Sequence, residues 1–246
     1  MYKETDFIFG FHPVIEAIRA GKNIDRLLIK KGLQGALFHE LMKEAKLHDI
    51  PFQVVPLERI ELITRKNHQG VIAWLGLIEY QIISNILPSV WEKGEDPLII
   101  ALDGVSDVRN LGAIVRSAEC IGANAIIIPE KGSARINADA IKASAGALHT
   151  LPVCREKSLT KSIEYLRDSG LKVIAADEKT GNDVFREDLT GPVVLILGAE
   201  NKGISRDLMA MSDIKVRIPM SGTIASLNVS VAGGILLYEI TRQRKI

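Results

Sequence analysis

From residue 98 onward the chain repeats one motif: a short run of uninterrupted apolar residues, then an amphipathic run. The apolar runs are "LIIALD" (98–103), "NAIIIP" (124–129), "KVIAAD" (172–177) and "PVVLILGAE" (192–200). A strand with one face in water alternates polar and apolar residues, and these runs do not. They must be covered on both faces, which is the condition of a parallel sheet flanked by helices. The intervening segments 110–122, 137–148 and 161–170 carry helical spacing and supply that cover. The fold class is therefore α/β with a parallel sheet.

The first part of the chain is organised differently. Helical spacing is predicted over 14–20, after Pro13, and over 37–50, where Leu37, Leu41 and Ala45 share a face. Short strands are predicted at 25–32, 51–56 and 70–77. This makes a small α/β unit over residues 1–78. Residues 79–97 hold two prolines, a glycine and mixed charge, and read as a linker with one helical turn. Residues 98–246 form the second domain.

Charge excludes little. A formal net charge of +1 is compatible with nucleic acid or small molecules, because a basic patch can sit inside a neutral total. Arg19, Lys22, Arg26, Lys30 and Lys31 are candidate phosphate partners in the first unit. The start of the chain lacks the apolar run of a signal peptide, and no apolar stretch reaches the ~20 residues that cross a bilayer. The expectation is a cytoplasmic protein without a membrane partner. Cys120 and Cys154 belong to no metal-ligand spacing and are expected as buried, reduced thiols.

Ligands of parallel sheets bind beyond the carboxyl ends of the strands. Three such ends carry polar residues here. After "LIIALD" come Asn110, a candidate helix cap, and Arg116, with Gly112 and Ala113 leaving its path clear. After "VVLILG" comes Glu200, bracketed by Gly198 and Gly203. After "IKVRIP" comes a loop leading to Ser226, expected as the cap of the last helix, and Asn228 in its first turn. Gly233 and Gly234 in that helix permit close packing, within or between subunits. No GxGxxG or GxxxxGK[ST] motif is present, which argues against dinucleotide oxidoreductases and P-loop enzymes. No metal site is expected. His149 is isolated, so a Ser-His-Asp triad at Ser226 is not expected.

Taken in order, "NLGAIVRSA", "VVLILGAENKGIS" and "IPMSGTIASLNVSVAGGILLYE" resemble the SpoU/TrmH family of RNA ribose 2′-O-methyltransferases, of the SPOUT superfamily. "IFGFHPVIEAIRAG" and "IDRLLIKKG" resemble the substrate-binding domain of the subfamily that modifies a guanosine of large-subunit (23S) rRNA. The resemblance implies a parallel sheet ending in a C-terminal trefoil knot, one of the rare exceptions to unknotted topology. It also implies a small N-terminal L30e-like RNA-binding domain, a homodimer and an S-adenosylmethionine cofactor. By motif position it assigns Gly198, Ile218 and Leu227 to the cofactor, with Leu197 and Ala176 as further candidates. Asn110, Arg116, Glu200, Ser226 and Asn228 fall on the family's catalytic positions. Asn201 stands where Gly is frequent, and Val108 where Pro is frequent.

The implied reaction is attack of a ribose 2′-oxygen on the sulfonium methyl. The resemblance makes Arg116 the general base, yet a guanidinium stays protonated in proteins. Arg116 is therefore either base or anchor of the target phosphate and ribose. Two other functions fit the same residues: a tRNA ribose methyltransferase, and an RNA-binding ribosome assembly factor without catalysis.

Overall fold

The chain divides after Glu79 into two units, each with its own sheet and core. The computed structural model describes residues 7–223 and 226–244. In the first unit β1 (Phe7–Phe9), α1 (Phe11–Arg19), β2 (Ile24–Lys30), α2 (Ala36–Leu47), β3 (Phe52–Val55), α3 (Leu57–Glu61) and β4 (Val71–Leu75) follow in order. The sheet runs β1-β4-β2-β3, with only the β2–β3 pairing parallel. The apolar faces of α1 and α2 meet over one side of it, through Val14, Ile18, Leu41 and Ala45 against Leu27 and Ile29. β1 and α3 were not legible in the sequence. Both are too short, at three and five residues, to show a period.

The second unit begins with β5 (Tyr80–Gln81) and α4 (Ile83–Glu92). The linker expected over 79–97 is corrected here. Ile83 and Leu87 enter the core, and Glu156 Oε1 accepts from the Ile83 N–H at 2.9 Å. Pro88 sits inside the helix, so the prolines misled the reading. Then come β6 (Leu98–Asp103), α5 (Val108–Ile121), β7 (Ala125–Pro129), α6 (Ala138–Ala143), β8 (Val153–Glu156), α7 (Leu159–Asp168), β9 (Lys172–Ala176), β10 (Val193–Gly198), α8 (Arg206–Met211), β11 (Ile214–Val216) and α9 (Val229–Arg244). β8 was missed because its four residues, "VCRE", are half polar.

The seven strands run β11-β9-β10-β6-β7-β8-β5, and all six pairings are parallel. Ile99 to Leu102 and Val193 to Ile196 are fully buried, as unalternating strands require. From β6 the chain leaves toward β7. From neighbouring β10 it leaves toward the opposite edge, where β11 lies. The gap between the carboxyl ends of β6 and β10 is thus the topological switch point of the sheet.

Two small residues bring helices onto this point. A Cβ on Gly112 would lie 2.5 Å from the Ala143 Cβ and 2.8 Å from the Ala140 carbonyl, so Gly112 serves the packing of α5 on α6 rather than the path of Arg116. A Cβ on Gly233 would lie 2.9 Å from Leu197 Cδ1, so this glycine lets α9 settle on β10 and α5.

Candidate active site

Four residues separate the end of β6 from the start of α5, whose cap is Asp107; its Oδ1 accepts from the N–H groups of Arg109 and Asn110 at 2.7 and 3.0 Å. Asn110 is therefore not the cap, and its side chain is free for other bonds. At the far end of the chain, Asn228 Oδ1 accepts from the backbone N–H of Ser230 at 2.9 Å, while the Asn228 carbonyl accepts from Ala232. Asn228 caps α9, where Ser226 was expected to do so. Two misassigned caps have one cause: several Ser, Asp and Asn residues precede each helix, and only the backbone decides which is in register.

The caps aim the amides. With its oxygen held by the helix, Asn228 turns Nδ2 outward and donates to Asn110 Oδ1 at 3.0 Å and to Glu200 Oε1 at 2.9 Å. Asn110 Nδ2 donates to the same Glu200 Oε1 at 2.9 Å. Residues 118 positions apart in sequence thereby close a three-membered cluster at the switch point. Glu200 lies on a tight turn in which the Gly203 N–H donates to the Ala199 carbonyl at 2.8 Å. Gly203 takes the left-handed conformation, φ 65°, and Asn201 is not among the described residues with positive φ. Gly203, and not position 201 where relatives often carry Gly, thus supplies the left-handed residue of this turn.

Two cavities flank this turn. The larger, about 610 Å³, lies beyond β9, β10 and β11. Gly198, Ile218, Leu227, Leu197 and Ala176 all line it, together with Glu200, Ser226 and Asn228. Met220, Leu236 and the strand-end residues Asp177, Glu178 and Arg217 line it too, and the sequence reading missed them. Asp177 was visible as the last residue of "KVIAAD". Arg217 was not, because its role depends on the ion pair with Asp183, 2.8 Å away across the loop that follows β9. The smaller cavity, about 460 Å³, lies beyond β6 and is lined by Asp103, Asp107, Asn110 and Lys202 among others. The strip 199–203 and Val229 belong to both cavities.

A Cβ on Gly198 would stand 2.3 Å from the Gly203 carbonyl carbon, so only glycine lets the strand end and the turn close together. The side chains of Leu197, Ile218, Leu227 and Leu236 give the cavity apolar patches among its polar groups, which suits an adenosyl group, and the volume lies within the usual range for a small-molecule site.

Arg116 lines neither cavity and takes no part in the cluster. It stands exposed on α5, about a third of a turn of the helical wheel from Asn110. Cys120 is also exposed, which corrects the expected burial. Cys154 is buried, and desolvation together with nearby Glu156 pushes its thiol up to about 12. Among the described residues no group of His, Cys, Asp and Glu is arranged to hold a metal ion, and no helix is long and apolar enough to cross a membrane.

Residues 97–238 match the SpoU rRNA Methylase family, and residues 7–81 match the RNA 2′-O ribose methyltransferase substrate-binding family. The chain belongs to the SpoU methylase family. Across 244 residues it is 31% identical to a Bacillus subtilis protein named for the TrmH family of tRNA/rRNA methyltransferases, covering 99% of this chain and 98% of that one. A Staphylococcus aureus protein of the same designation is 34% identical over 98% of this chain and 97% of its own. The solved SpoU methyltransferase AviRb from Streptomyces viridochromogenes, in complex with AdoMet, superposes with a TM-score of 0.61 at 26% identity, over 96% of this chain and 89% of that one. An AdoMet-bound rRNA methyltransferase from Sinorhizobium meliloti gives 0.61 at 27% identity, over 96% and 87%. This SpoU-family chain is an RNA 2′-O-ribose methyltransferase, and its methyl donor is S-adenosylmethionine.

Among the basic residues of the substrate-binding unit, two of the five expected phosphate partners are engaged elsewhere. Arg19 is paired with Glu40 and Glu44 at 2.7 and 2.8 Å. The Arg26 guanidinium lies 5.3 Å over the Trp74 ring. Lys22 and Lys31 are exposed, and Lys30 is half-buried.

Proposed function

We propose that this SpoU-family enzyme methylates the 2′-oxygen of a guanosine ribose in 23S rRNA, in the cytoplasm, as a homodimer. The observation that carries the reading is the Asn110–Glu200–Asn228 cluster, set on the wall shared by two cavities. A two-substrate transfer needs this arrangement: cofactor on one side, ribose on the other, polar groups at the junction. The rRNA assignment rests on the resemblance of "IFGFHPVIEAIRAG" and "IDRLLIKKG" to the substrate-binding domain of rRNA-directed relatives, within a segment that matches RNA 2′-O ribose methyltransferase substrate-binding domains in general. A tRNA substrate is the second reading, favoured by relatives named for tRNA and rRNA together.

When bound, S-adenosylmethionine supplies an electrophilic methyl group. Gly198, Leu197, Ile218, Leu227 and Ala176 would hold it in the larger cavity. Glu200 takes two amide donors on Oε1, while Oε2 takes part in neither bond. That oxygen would accept from the ribose, or from Arg116 of the partner subunit. Ser226 would close the mouth of the cavity.

α9 exposes Val231, Ile235 and Tyr238 on one face, half or more of the way to full exposure in two of the three. A second copy would cover this stripe and bring Arg116 to the junction. α9 is tied to both ends of the sheet, by Asn228 at the carboxyl ends and by Arg244 at the amino ends. That doubly anchored tail supports the trefoil knot, and the N-terminal unit is read as the L30e-like RNA-binding domain.

The test is titration with S-adenosylhomocysteine, with methyl transfer scored on 23S rRNA and tRNA transcripts. Binding with transfer to rRNA is expected; transfer to tRNA alone selects the second reading. Binding without transfer to either leaves an RNA-binding assembly factor. For Arg116→Lys, loss of single-turnover rate at saturating RNA marks a base, and loss of affinity alone marks an anchor.

A further inference from the structure

The sheet of the first unit has two chemically different ends. β1, β2 and β3 finish where β4 begins, because β4 runs antiparallel to β1 and β2 while β3 is parallel to β2. Segments 10–13, 30–35 and 62–70 meet at that end. They hold Lys30, Lys31, Arg65 and Lys66 with His12 and His68, and no Asp or Glu. At the opposite end, segments 20–23, 48–51 and 76–79 set Lys22, their one lysine or arginine, against Asp49 and Glu79.

The cations of the first end are not neutralised by the fold. Among the described residues Lys30, Lys31 and Arg65 form no ion pair, and Glu58 and Glu61, in the helix that follows β3, form none either. Lys31 and Arg65 are exposed. Like charges gathered on neighbouring loops repel, and an anionic partner relieves that.

The loops are also held in one shape. Gln69, a non-glycine residue in the left-handed region at φ 51°, accepts from the Phe11 N–H on Oε1 at 3.1 Å, which ties 62–70 to the start of α1. The Lys30 N–H donates to the Gly70 carbonyl at 2.8 Å, and a Cβ on Gly70 would lie 2.9 Å from the Lys30 Cβ. Within the loop the Gly70 N–H donates to His68 Nδ1 at 2.9 Å. A surface ordered before binding loses less entropy when its ligand arrives.

We propose that this end of the first unit grips the phosphate backbone of the RNA, through Lys30, Lys31 and Arg65 on loops fixed by Gln69. The inference rests on the RNA methyltransferase reading above and names the binding surface within it. The match of residues 7–81 to a substrate-binding family makes RNA the polyanion. Phe11, the one Phe, Tyr or Trp of the three segments, is buried, so no such ring is offered for bases to stack on. Phosphate contacts fix the register of an RNA and carry no sequence information. Arg65 thus joins the expected phosphate partners, and Lys22, at the other end, leaves them.

The experiment measures affinity of the full chain for 23S rRNA and tRNA transcripts against salt concentration. Lys31→Ala/Arg65→Ala is compared with wild type and with Lys43→Ala/Lys46→Ala, which removes the same charge from exposed positions of α2. The first double variant should lose about tenfold in affinity at about 0.1 M salt, to a similar extent on both transcripts. Its plot of log affinity against log salt should be shallower by about 1.5. Its S-adenosylhomocysteine affinity and melting temperature should match wild type, and the second double variant should bind RNA as wild type does. Unchanged affinity and slope in the first variant overturn the proposal. An equal loss in the second overturns it too, by marking a response to net charge alone, as does a loss confined to one transcript, which marks base reading. Wild type that binds cofactor but neither transcript brings down the RNA reading itself, and this surface with it.

Discussion

The two ends of the seven-stranded sheet use the same kinds of residue for opposite purposes. At the amino ends polar side chains are turned onto the backbone. Arg244, desolvated enough that burial pulls its guanidinium down, donates to the carbonyls of Asp96, Pro97 and Gly191. Gln243 bonds to the Leu189 N–H and the Glu187 carbonyl, Asn124 accepts from Leu98, and Asp213 accepts from Val173 at 2.7 Å. Those partners are backbone groups that the strands leave unpaired where they begin. At the carboxyl ends Asn110, Glu200 and Asn228 bond mainly to one another, beside cavities, with acceptor capacity left over. Saturated polar groups stabilise, and incompletely used ones are available to ligands. α9 joins the two regimes, with a functional first turn and a structural last one.

The contrast breaks most visibly if catalysis survives loss of the cluster. Glu200→Ala and Asn110→Ala should each lower single-turnover methyl transfer by about a hundredfold or more, while urea unfolding stays near wild type. Full turnover in both would move the active site elsewhere. The mirror experiment is Arg244→Ala. It leaves the Asp96 and Gly191 carbonyls without this donor, while Pro97 keeps the Val193 N–H, and should cost about 2 kcal/mol of unfolding free energy, with kcat per folded molecule unchanged.

Gly198→Ala tests the boundary between the regimes. Its Cβ would meet Gly203 backbone that no rotamer change can relieve, and overpacking of this kind costs about 1–3 kcal/mol. Because the displaced turn carries Glu200, S-adenosylhomocysteine affinity should fall further than stability does. The smallest effect concerns Glu239 in the last turns of α9. A hydrogen bond from Arg242, helped by Gln243, holds its carboxyl down to about 2 against an ordinary 4.5. A depressed carboxyl stabilises the fold above its unfolded value, so this contribution is present above pH 4.5 and disappears as pH falls toward 2. Glu239→Gln should flatten that part of the acid-unfolding curve and leave neutral stability little altered.

Much of the second unit could be read along the chain. β6 lies over the residues of "LIIALD" with no offset, and β9 and β10 are displaced by at most two residues, because strands buried on both faces leave an unambiguous apolar run. β5, β8 and α4 escaped, being short, half polar or carrying Pro88. Five expected cofactor residues line one cavity, and three expected polar residues form one cluster. The caps were displaced to Asp107 and Asn228, and Arg116 lies apart from the cluster.

Local sequence carried the long buried strands and most of the periodic helices, the parallel character of the main sheet, and the three strand ends with polar groups. It could do so because burial on two faces and helical periodicity are written in neighbouring residues. Strand order, the switch point between β6 and β10, and the meeting of Asn110 with Glu200 and Asn228 were decided only by tertiary structure. They depend on contacts across 28 to 118 positions, and on steric fits such as Gly198 against Gly203, for which no local pattern exists.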